Sequence, residues 1–227
     1  MRAILLAAGL GMRLRPLTLS TPKCLMPIQG VPLLELWFEK LFAAGFESLI
    51  VNTHYLAEQV EQVVSRSKFR THIQCVYEPT LLGTAGTLIK NIDFFNNEDG
   101  LVVHADNYFE GDLRRMIRAH NSRPSATVMT MMTFLTDEPK NCGIVEVDKN
   151  NIVHAFHEKK ENPPGNLANG ALYLLSKELI QIIKTEHNQA KDFSTEIIPS
   201  LVGEIYSFMT SDRFIDIGTI ENYSKIK

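Results

Sequence analysis

Cysteine is scarce in this chain: three residues, Cys24, Cys75 and Cys142, in 227. An odd number at wide spacing builds neither a disulfide framework nor a Cys-x-x-Cys metal knuckle, so the three read as reduced thiols. Net charge is also nearly absent, with 23 Lys and Arg against 26 Asp and Glu. A basic surface of the kind that holds DNA or RNA is thereby excluded. No apolar run approaches the roughly 20 residues that cross a bilayer. Gly9, Arg13 and Arg15 interrupt the start where a signal peptide would carry its hydrophobic stretch. These absences predict a cytoplasmic protein with neither a nucleic-acid nor a membrane partner. The last absence is local: no Asp or Glu precedes Glu35.

That acid-free segment holds the most informative residues. Ala3-Ile4-Leu5-Leu6 has the length and aliphatic character of a buried strand. It runs straight into Ala8-Gly9-Leu-Gly11-Met12-Arg13-Leu-Arg15-Pro16-Leu-Thr18, followed by Pro22-Lys23 and Pro27. Glycine lets backbone N–H groups approach phosphate oxygens, and Arg and Lys neutralise their charge. The segment therefore predicts a cradle for a small polyphosphate. A dinucleotide fingerprint is not present, because Leu14 stands where the third glycine of G-x-G-x-x-G would close helix against strand. A Walker A loop is absent too.

The next stretch alternates in type. Pro32 to Phe42 places Leu34, Trp37, Phe38, Leu41 and Phe42 at helical spacing, and Gly45 stops the helix. Ser48–Asn52 then reads as a strand, Leu56–Val64 as a helix, His72–Tyr77 as a strand, Thr84 to about Ile92 as a helix capped by Thr84, and Gly100–Ala105 as a strand. Such alternation predicts an α/β fold, a Rossmann-like three-layer α/β/α arrangement on a mostly parallel mixed sheet. Beyond residue 124 strand-like segments dominate (126–132, 143–147, 152–157 and 171–175) with fewer helices between them. We expect a single domain over 1–227, a nucleotide-binding half at 1–123 and a sugar-phosphate-binding half with a small β lobe at 124–227.

Several isolated residues have two readings on local grounds. Asp106 at the end of an apolar strand is either a turn residue or a ligand. Asp216 in Phe214-Ile-Asp216-Ile-Gly218-Thr219 sits between apolar neighbours in the same way. Glu78-Pro-Thr-Leu-Leu-Gly83-Thr84-Ala-Gly86 taken alone is an ordinary strand-to-helix turn, and Glu158-Lys159 an ordinary solvated strand end. His154 and His157 lie three apart on a predicted strand, on opposite faces, and cannot share a metal. Met129, Met131 and Met132 read as core packing.

Taken together, these segments resemble the nucleotidyltransferases that join a nucleoside triphosphate to a sugar 1-phosphate and release pyrophosphate. The family's G-x-G-T-R-x-x-P-x-T and P-K-x-x-x-P are matched by Gly9 to Thr18 and by Pro22 to Pro27, with Met12 where many members carry a small hydroxyl residue. The resemblance implies that Leu6, Ala8, Gly9, Gly11, Met12, Arg13, Lys23, Glu78 and Gly83 bind the nucleotide. It further implies that Asp106 and Asp216 hold Mg²⁺, whose hard octahedral shell suits one or two carboxylates plus phosphate oxygens and water. Phe156-His-Glu158-Lys159 looks like the family's F-x-E-K, although Lys160 replaces the usual proline after it. Asn169-Gly170-Ala171-Leu-Tyr173 looks like N-x-G-x-Y, with alanine at or beside the usual glycine. Asn107, Gly143, Glu158, Lys159 and Asn169 are thereby assigned to the sugar phosphate.

Arg13, Lys23, Asp106, Lys159 and Asp216 form the implied catalytic set. The resemblance spans the chain and is nearest to short guanylyltransferases acting on mannose or manno-heptose 1-phosphate, which carry no C-terminal β-helix or fused acetyltransferase. Uridylyl, thymidylyl and cytidylyl relatives remain the alternatives, and a homodimer is compatible with the reading. A non-catalytic sugar-nucleotide sensor is the rival class, yet such a protein would be expected to have lost a carboxylate or a loop cation. A nicotinamide-dependent oxidoreductase is disfavoured at Leu14.

Overall fold

The structure is a computed structural model and describes residues 1–226. In chain order the strands are β1 (Arg2–Leu6), β2 (Pro27–Ile28), β3 (Val31–Pro32), β4 (Ser48–Thr53), β5 (Ile73–Tyr77), β6 (Gly100–His104), β7 (Asn107–Phe109), β8 (Met129–Leu135), β9 (Gly143–Val147), β10 (Val153–Glu158), β11 (Leu167–Leu175), β12 (Ile205–Met209) and β13 (Phe214–Asp216). The helices are α1 (Leu33–Ala43), α2 (Ala57–Arg66), α3 (Gly83–Lys90), α4 (Leu113–Asn121), α5 (Lys177–Glu186) and α6 (Ile220–Ser224). The fold is mixed α/β with a mostly parallel central sheet and small antiparallel sheets. Among the described residues no helix is long and apolar enough to cross a membrane.

Two compact units emerge, and the chain passes between them at 81/82, 102/103, 112/113 and 212/213. Of the described residues, the first comprises 1–81, 103–112 and 213–226. Here β1 pairs in parallel with β4, Ile4 opposite Ile50, and β4 pairs in parallel with β5. Ala3, Ile4, Leu5, Leu49 and Val51 are completely buried, as aliphatic runs covered on both faces must be. Helix α1 buries Leu33, Leu34, Trp37, Phe38 and Leu41. Each such side chain contributes about 1.5–3 kcal/mol of transfer free energy. Trp37 cannot bury its indole N–H unpaired, and it donates to the Asn107 carbonyl at 2.8 Å. The core helix thus anchors the backbone beside Asp106.

The second unit comprises 82–102 and 113–212. Its β8 pairs antiparallel with β11 and parallel with β12, and β9 lies antiparallel to both β10 and β11. Met129, Met131 and Met132 are fully buried there, as their pattern predicts. Helix α5 is absent from the sequence expectation, yet its start is chemically plain. Ser176 caps it by accepting from the Leu179 N–H at 3.1 Å, and Leu179, Ile180 and Ile183 are buried. Strand β8 begins three residues later than the expected 126, because Thr127 first closes a turn on the Pro124 carbonyl at 2.9 Å.

One local expectation is corrected. Thr84 does not cap α3: the helix starts at Gly83, Leu82 holds the cap position, and no side chain caps it. The N–H groups of Ala85 and Gly86 are instead taken by the Lys191 carbonyl, at 3.0 and 3.4 Å. With the backbone of Lys191 already serving these donors, the Thr84 hydroxyl is free to bond elsewhere.

Candidate active site

In the first unit the loop after β1 folds as three successive tight turns, 12–14, 17–19 and 23–25. Gly11 has φ +60°, and a Cβ there would stand 2.9 Å from the Thr18 methyl. The Thr18 hydroxyl donates to the Gly11 carbonyl at 2.7 Å, which closes the loop on itself. Leu14, which breaks the dinucleotide fingerprint, is fully buried, whereas Met12 is exposed.

This folding carries Lys23 into a nearly buried position, where its ammonium donates to Asp106 Oδ2 at 2.5 Å and to Asp216 Oδ1 at 2.9 Å. Arg13 adds a second cation, 3.7 Å from Asp216 Oδ2. The two carboxylates are 110 positions apart in the chain, and strand pairing brings them together. β13 runs antiparallel to β7 with Asp216 opposite Asn107, the residue after Asp106. The Ile217 N–H then donates to the Asp106 carbonyl at 3.3 Å. Thr219 caps α6, and the Tyr223 hydroxyl donates to the Pro27 carbonyl at 2.7 Å, fixing this segment against the loop that bears Lys23.

Electrostatics follow from the geometry. Burial alone would depress the pKa of Lys23, but the charges of Asp106 and Asp216 outweigh it and raise the value above that of an ordinary lysine. For Asp106, burial pushes upward and the Lys23 ammonium, with His104, pulls further downward, leaving the carboxyl below its ordinary range. Lys23 and Asp106 are therefore charged at neutral pH. Cys24 nearby is no nucleophile: burial and the charge of Asp106 push its thiol up to about 12.

The carboxylate oxygens of Asp106 and Asp216, brought together around the Lys23 ammonium, are hard donors of the kind Mg²⁺ takes. Among the described residues no group of three or more His, Cys, Asp and Glu could hold a metal, so a site of the zinc type has no basis there. Two carboxylates completed by phosphate oxygens and water are the fitting donor set.

Two residues missed by sequence reasoning belong to this region. Asn52, at the polar end of β4, accepts from the Ala7 N–H at 2.6 Å and donates to the buried Glu78 carboxylate at 3.0 Å. It joins the glycine loop to Glu78, and an amide ending the apolar run Leu49-Ile-Val51 was its only sequence signal. Gly218 is the other: a Cβ there would lie 2.9 Å from the Arg13 guanidinium and 3.0 Å from both Asp216 oxygens. A side chain would displace one of these charges, which is why glycine follows the Asp216 turn.

Of the expected nucleotide residues, Leu6, Ala8, Gly9, Gly11, Met12, Arg13, Lys23 and Glu78 all lie in the first unit, as does Asn107. Gly83 lies in the second unit together with Gly143, Glu158, Lys159 and Asn169. In that unit β10 pairs with β9 so that Glu158 stands opposite Gly143. A Cβ on Gly143 would come within 2.7 Å of Glu158 Oε2 and 2.8 Å of the Phe156 ring, so glycine makes room for the carboxylate. Lys159 takes the left-handed region, φ +45°, and its ammonium lies 3.3 Å from Glu158 Oε1. Asn169 donates from Nδ2 to the Tyr173 hydroxyl at 2.7 Å and accepts from the Ala171 N–H at 2.9 Å. Ala171 has φ +51°, a conformation that favours glycine. Of the two declined histidines, His157 pairs with Glu146 at 2.8 Å and His154 is exposed.

Comparison with known proteins places this arrangement. The family model for nucleotidyl transferases matches residues 2–227. The chain is 30% identical to a mannose-1-phosphate guanylyltransferase of Mycobacterium tuberculosis, covering 97% of this chain and 62% of that protein. It is equally identical, at 30%, to a D-glycero-α-D-manno-heptose 1-phosphate guanylyltransferase of Campylobacter jejuni, where 98% and 97% are covered. The chain thus spans under two thirds of some relatives and nearly all of others. Among solved structures, HddC from Yersinia pseudotuberculosis, which has also been solved with GMP-PN, superposes with a TM-score of 0.82 at 25% identity, over 99% of this chain and 97% of that one. A Bacillus anthracis protein proposed to be a glucose-1-phosphate thymidylyltransferase shares the fold with a TM-score of 0.87 at 22% identity, over 100% and 93%. This chain belongs to the nucleotidyl transferase family.

Proposed function

We propose that the protein transfers a nucleotidyl group from a nucleoside triphosphate to a sugar 1-phosphate, with GTP and mannose or D-glycero-D-manno-heptose 1-phosphate as substrates. The convergence of Lys23 on Asp106 and Asp216, with Arg13 beside them, carries the reading. A nucleotide-sensing subunit without turnover would have no use for two carboxyl groups converging on one nearly buried lysine. The choice of guanine and of a manno-configured sugar is supported by the relatives from Mycobacterium tuberculosis and Campylobacter jejuni. A 28% identical UTP–glucose-1-phosphate uridylyltransferase of Synechocystis supports UTP with glucose 1-phosphate as the second reading.

In this reaction an oxygen of the sugar 1-phosphate attacks the α-phosphorus, and the bond to the β-phosphate oxygen breaks to release pyrophosphate. The attacking phosphate is already ionised at neutral pH, so no residue has to remove a proton. What the protein supplies is position and opposite charge. In the first unit, backbone from Leu6 to Met12 cradles the triphosphate, and Arg13 and Lys23 neutralise the charge that gathers on pyrophosphate. Buried Glu78, held by Asn52, borders the base. Asp106 and Asp216 would hold Mg²⁺, which when bound supplies charge neutralisation on phosphate oxygens. Asn107, beside Asp106, contributes to the sugar phosphate. In the second unit, Glu158 and Asn169 accept and donate to sugar hydroxyls, Gly143 offers its backbone, and Lys159 orients the phosphate nucleophile. Gly83 borders the nucleotide. A cytoplasmic location and a homodimer belong to the same reading.

The test is a matrix of four nucleoside triphosphates against mannose, manno-heptose, glucose and N-acetylmuramic acid 1-phosphates with Mg²⁺, following pyrophosphate. GTP with a manno-configured sugar should give the fastest release. UTP with glucose 1-phosphate as the best pair would establish the second reading, and no release with any pair would favour the sensor.

A further inference from the structure

Thr84 and Asp192 have no place in the charge neutralisation just described, yet both are committed to an unbroken set of contacts inside the second unit. Gly83, at φ +80°, lets the chain press against the Lys191 carbonyl so closely that a Cβ would stand 2.3 Å from it. Beside this approach the Thr84 hydroxyl accepts from the Phe193 N–H at 2.7 Å and donates to Asp192 Oδ2 at 3.3 Å. The other oxygen of Asp192 accepts from the Thr195 N–H at 2.9 Å and from the Thr195 hydroxyl at 3.0 Å. Glu196 answers by accepting from the N–H groups of Lys191 and Asp192, at 3.2 and 3.0 Å. The turn Phe193–Ile197 is π-helical, a widened form that recurs at functional positions.

From that turn the contacts continue inward. The Phe193 ring packs on Tyr173 with centroids 4.7 Å apart. Tyr173 is fully buried, and its hydroxyl meets both Ser194 and, at 2.7 Å, the Asn169 amide. One end of this chain is thus the Leu82–Gly86 segment and the other is Asn169. Both oxygens of Asp192 are taken up by donors of this unit, so its carboxylate is a link of the connection and not a free charge.

We propose that Thr84 and Asp192 are positioning residues that set the Leu82–Gly86 segment and Asn169 together, so that disturbing one hydroxyl loosens the protein's hold on both substrates. The nature of the two ends rests on the assignments under Proposed function. Removing the hydroxyl leaves the Phe193 N–H and Asp192 Oδ2 without the partner that fixes the turn, and Asn169 loses the support of Tyr173 behind it. Chemistry at the α-phosphorus is untouched, so the loss falls on binding.

Thr84→Val, Thr84→Ser and Asp192→Asn compared with the wild type test this. Thr84→Val should raise KM for the sugar 1-phosphate and for the nucleoside triphosphate about tenfold each while kcat stays within about threefold, the pattern of lost uniform binding. Thr84→Ser, which keeps the hydroxyl and loses only the methyl, should leave both KM values near those of the wild type. Asp192→Asn keeps an acceptor for Thr195 and should raise KM less than Thr84→Val. Should Thr84→Val fail to fold by circular dichroism, Asp192→Asn carries the test, and normal KM values in that variant would overturn the proposal. Equal impairment in Thr84→Val and Thr84→Ser, or a fall in kcat alone, would also overturn it. A wild type that turns over while Thr84→Val is unaffected sinks this proposal alone; a wild type with no turnover on any pair sinks the proposed activity with it.

Discussion

The two units hold their candidate residues by different means. In the first, Lys23, Asp106, Asp216 and Arg13 are fixed largely by each other's charge at 2.5 to 3.7 Å. In the second, Asn169 and Tyr173 are fixed by neutral hydrogen bonds and ring packing, and the candidate ion pair Glu158–Lys159, at 3.3 Å, has its lysine as exposed as Arg13, unlike the nearly buried Lys23. The contrast has a physical consequence. Charges that define one another fail together, because removing one strands the rest in a partly desolvated place. A neutral network loses its members one at a time.

The largest effect should come from cutting into the charged set. Asp106→Asn is nearly isosteric and is expected to lower turnover on the order of 10² to 10³, the usual cost of one charge-stabilising contact. Its fold, read by circular dichroism, should persist; turnover within a factor of a few of the wild type would remove Asp106 from the machinery. Lys23→Met should next destabilise the protein, because it leaves Asp106 and Asp216 facing each other with only the exposed Arg13, 3.7 Å from Asp216, as a counter-charge. Fully buried pairs lose about 3–5 kcal/mol when one partner is removed, and since Asp106 and Asp216 are 32% and 46% exposed we expect about 2 kcal/mol in urea unfolding. An unchanged midpoint would mean that the charges do not hold one another.

The second unit should respond to pH through His120. His120 is completely buried, with Nδ1 2.8 Å from the Thr130 hydroxyl and Nε2 3.4 Å from Asp99. Burial lowers its pKa, Asp99 opposes that shift and Arg123 reinforces it. The unfolded chain binds this proton near pH 6.5 and the folded chain only at lower pH. Stability on this account is full above the unfolded value and declines as pH falls below about 6.5. Thermal unfolding should weaken between pH 7 and 5, and His120→Gln should flatten that slope; an identical slope in the variant would exclude His120. The smallest effect belongs to Ala171. Relieving its φ of +51° by Ala171→Gly should stabilise by roughly 0.5 kcal/mol after the added unfolded-state entropy is subtracted. A loss of stability would show that the Ala171 methyl contributes more by packing than its backbone conformation costs.

Much of this was legible in the sequence, for reasons that differ by region. β1, β4 and α1 were readable because unbroken aliphatic runs and helical spacing report burial directly. Asp106 and Asp216 could be paired through the family resemblance, since each interrupts an apolar strand end, and the antiparallel register of β7 with β13 supplies the physical reason. Thr84 was misread as a cap because hydroxyls near helix starts usually are caps, and nothing local announced that the Lys191 carbonyl, more than a hundred residues later, would take the helix donors. Asn52 and Gly218 were missed for a related reason: Asn52 acts on Ala7 and Glu78, and Gly218 makes room for Arg13, all distant in sequence. Leu14 shows the reverse, a residue whose negative evidence against a dinucleotide site agrees with its complete burial.

The most direct measurement is pyrophosphate exchange. Wild-type protein given GDP-mannose or the corresponding GDP-heptose, Mg²⁺ and radiolabelled pyrophosphate should return the label in GTP, and Asp106→Asn under the same conditions should return almost none. Label appearing in no nucleoside triphosphate, with any of the NDP-sugars matching the tested pairs, would contradict nucleotidyl transfer. Equal labelling by Asp106→Asn would leave the reaction standing and contradict the role given to the charged cluster.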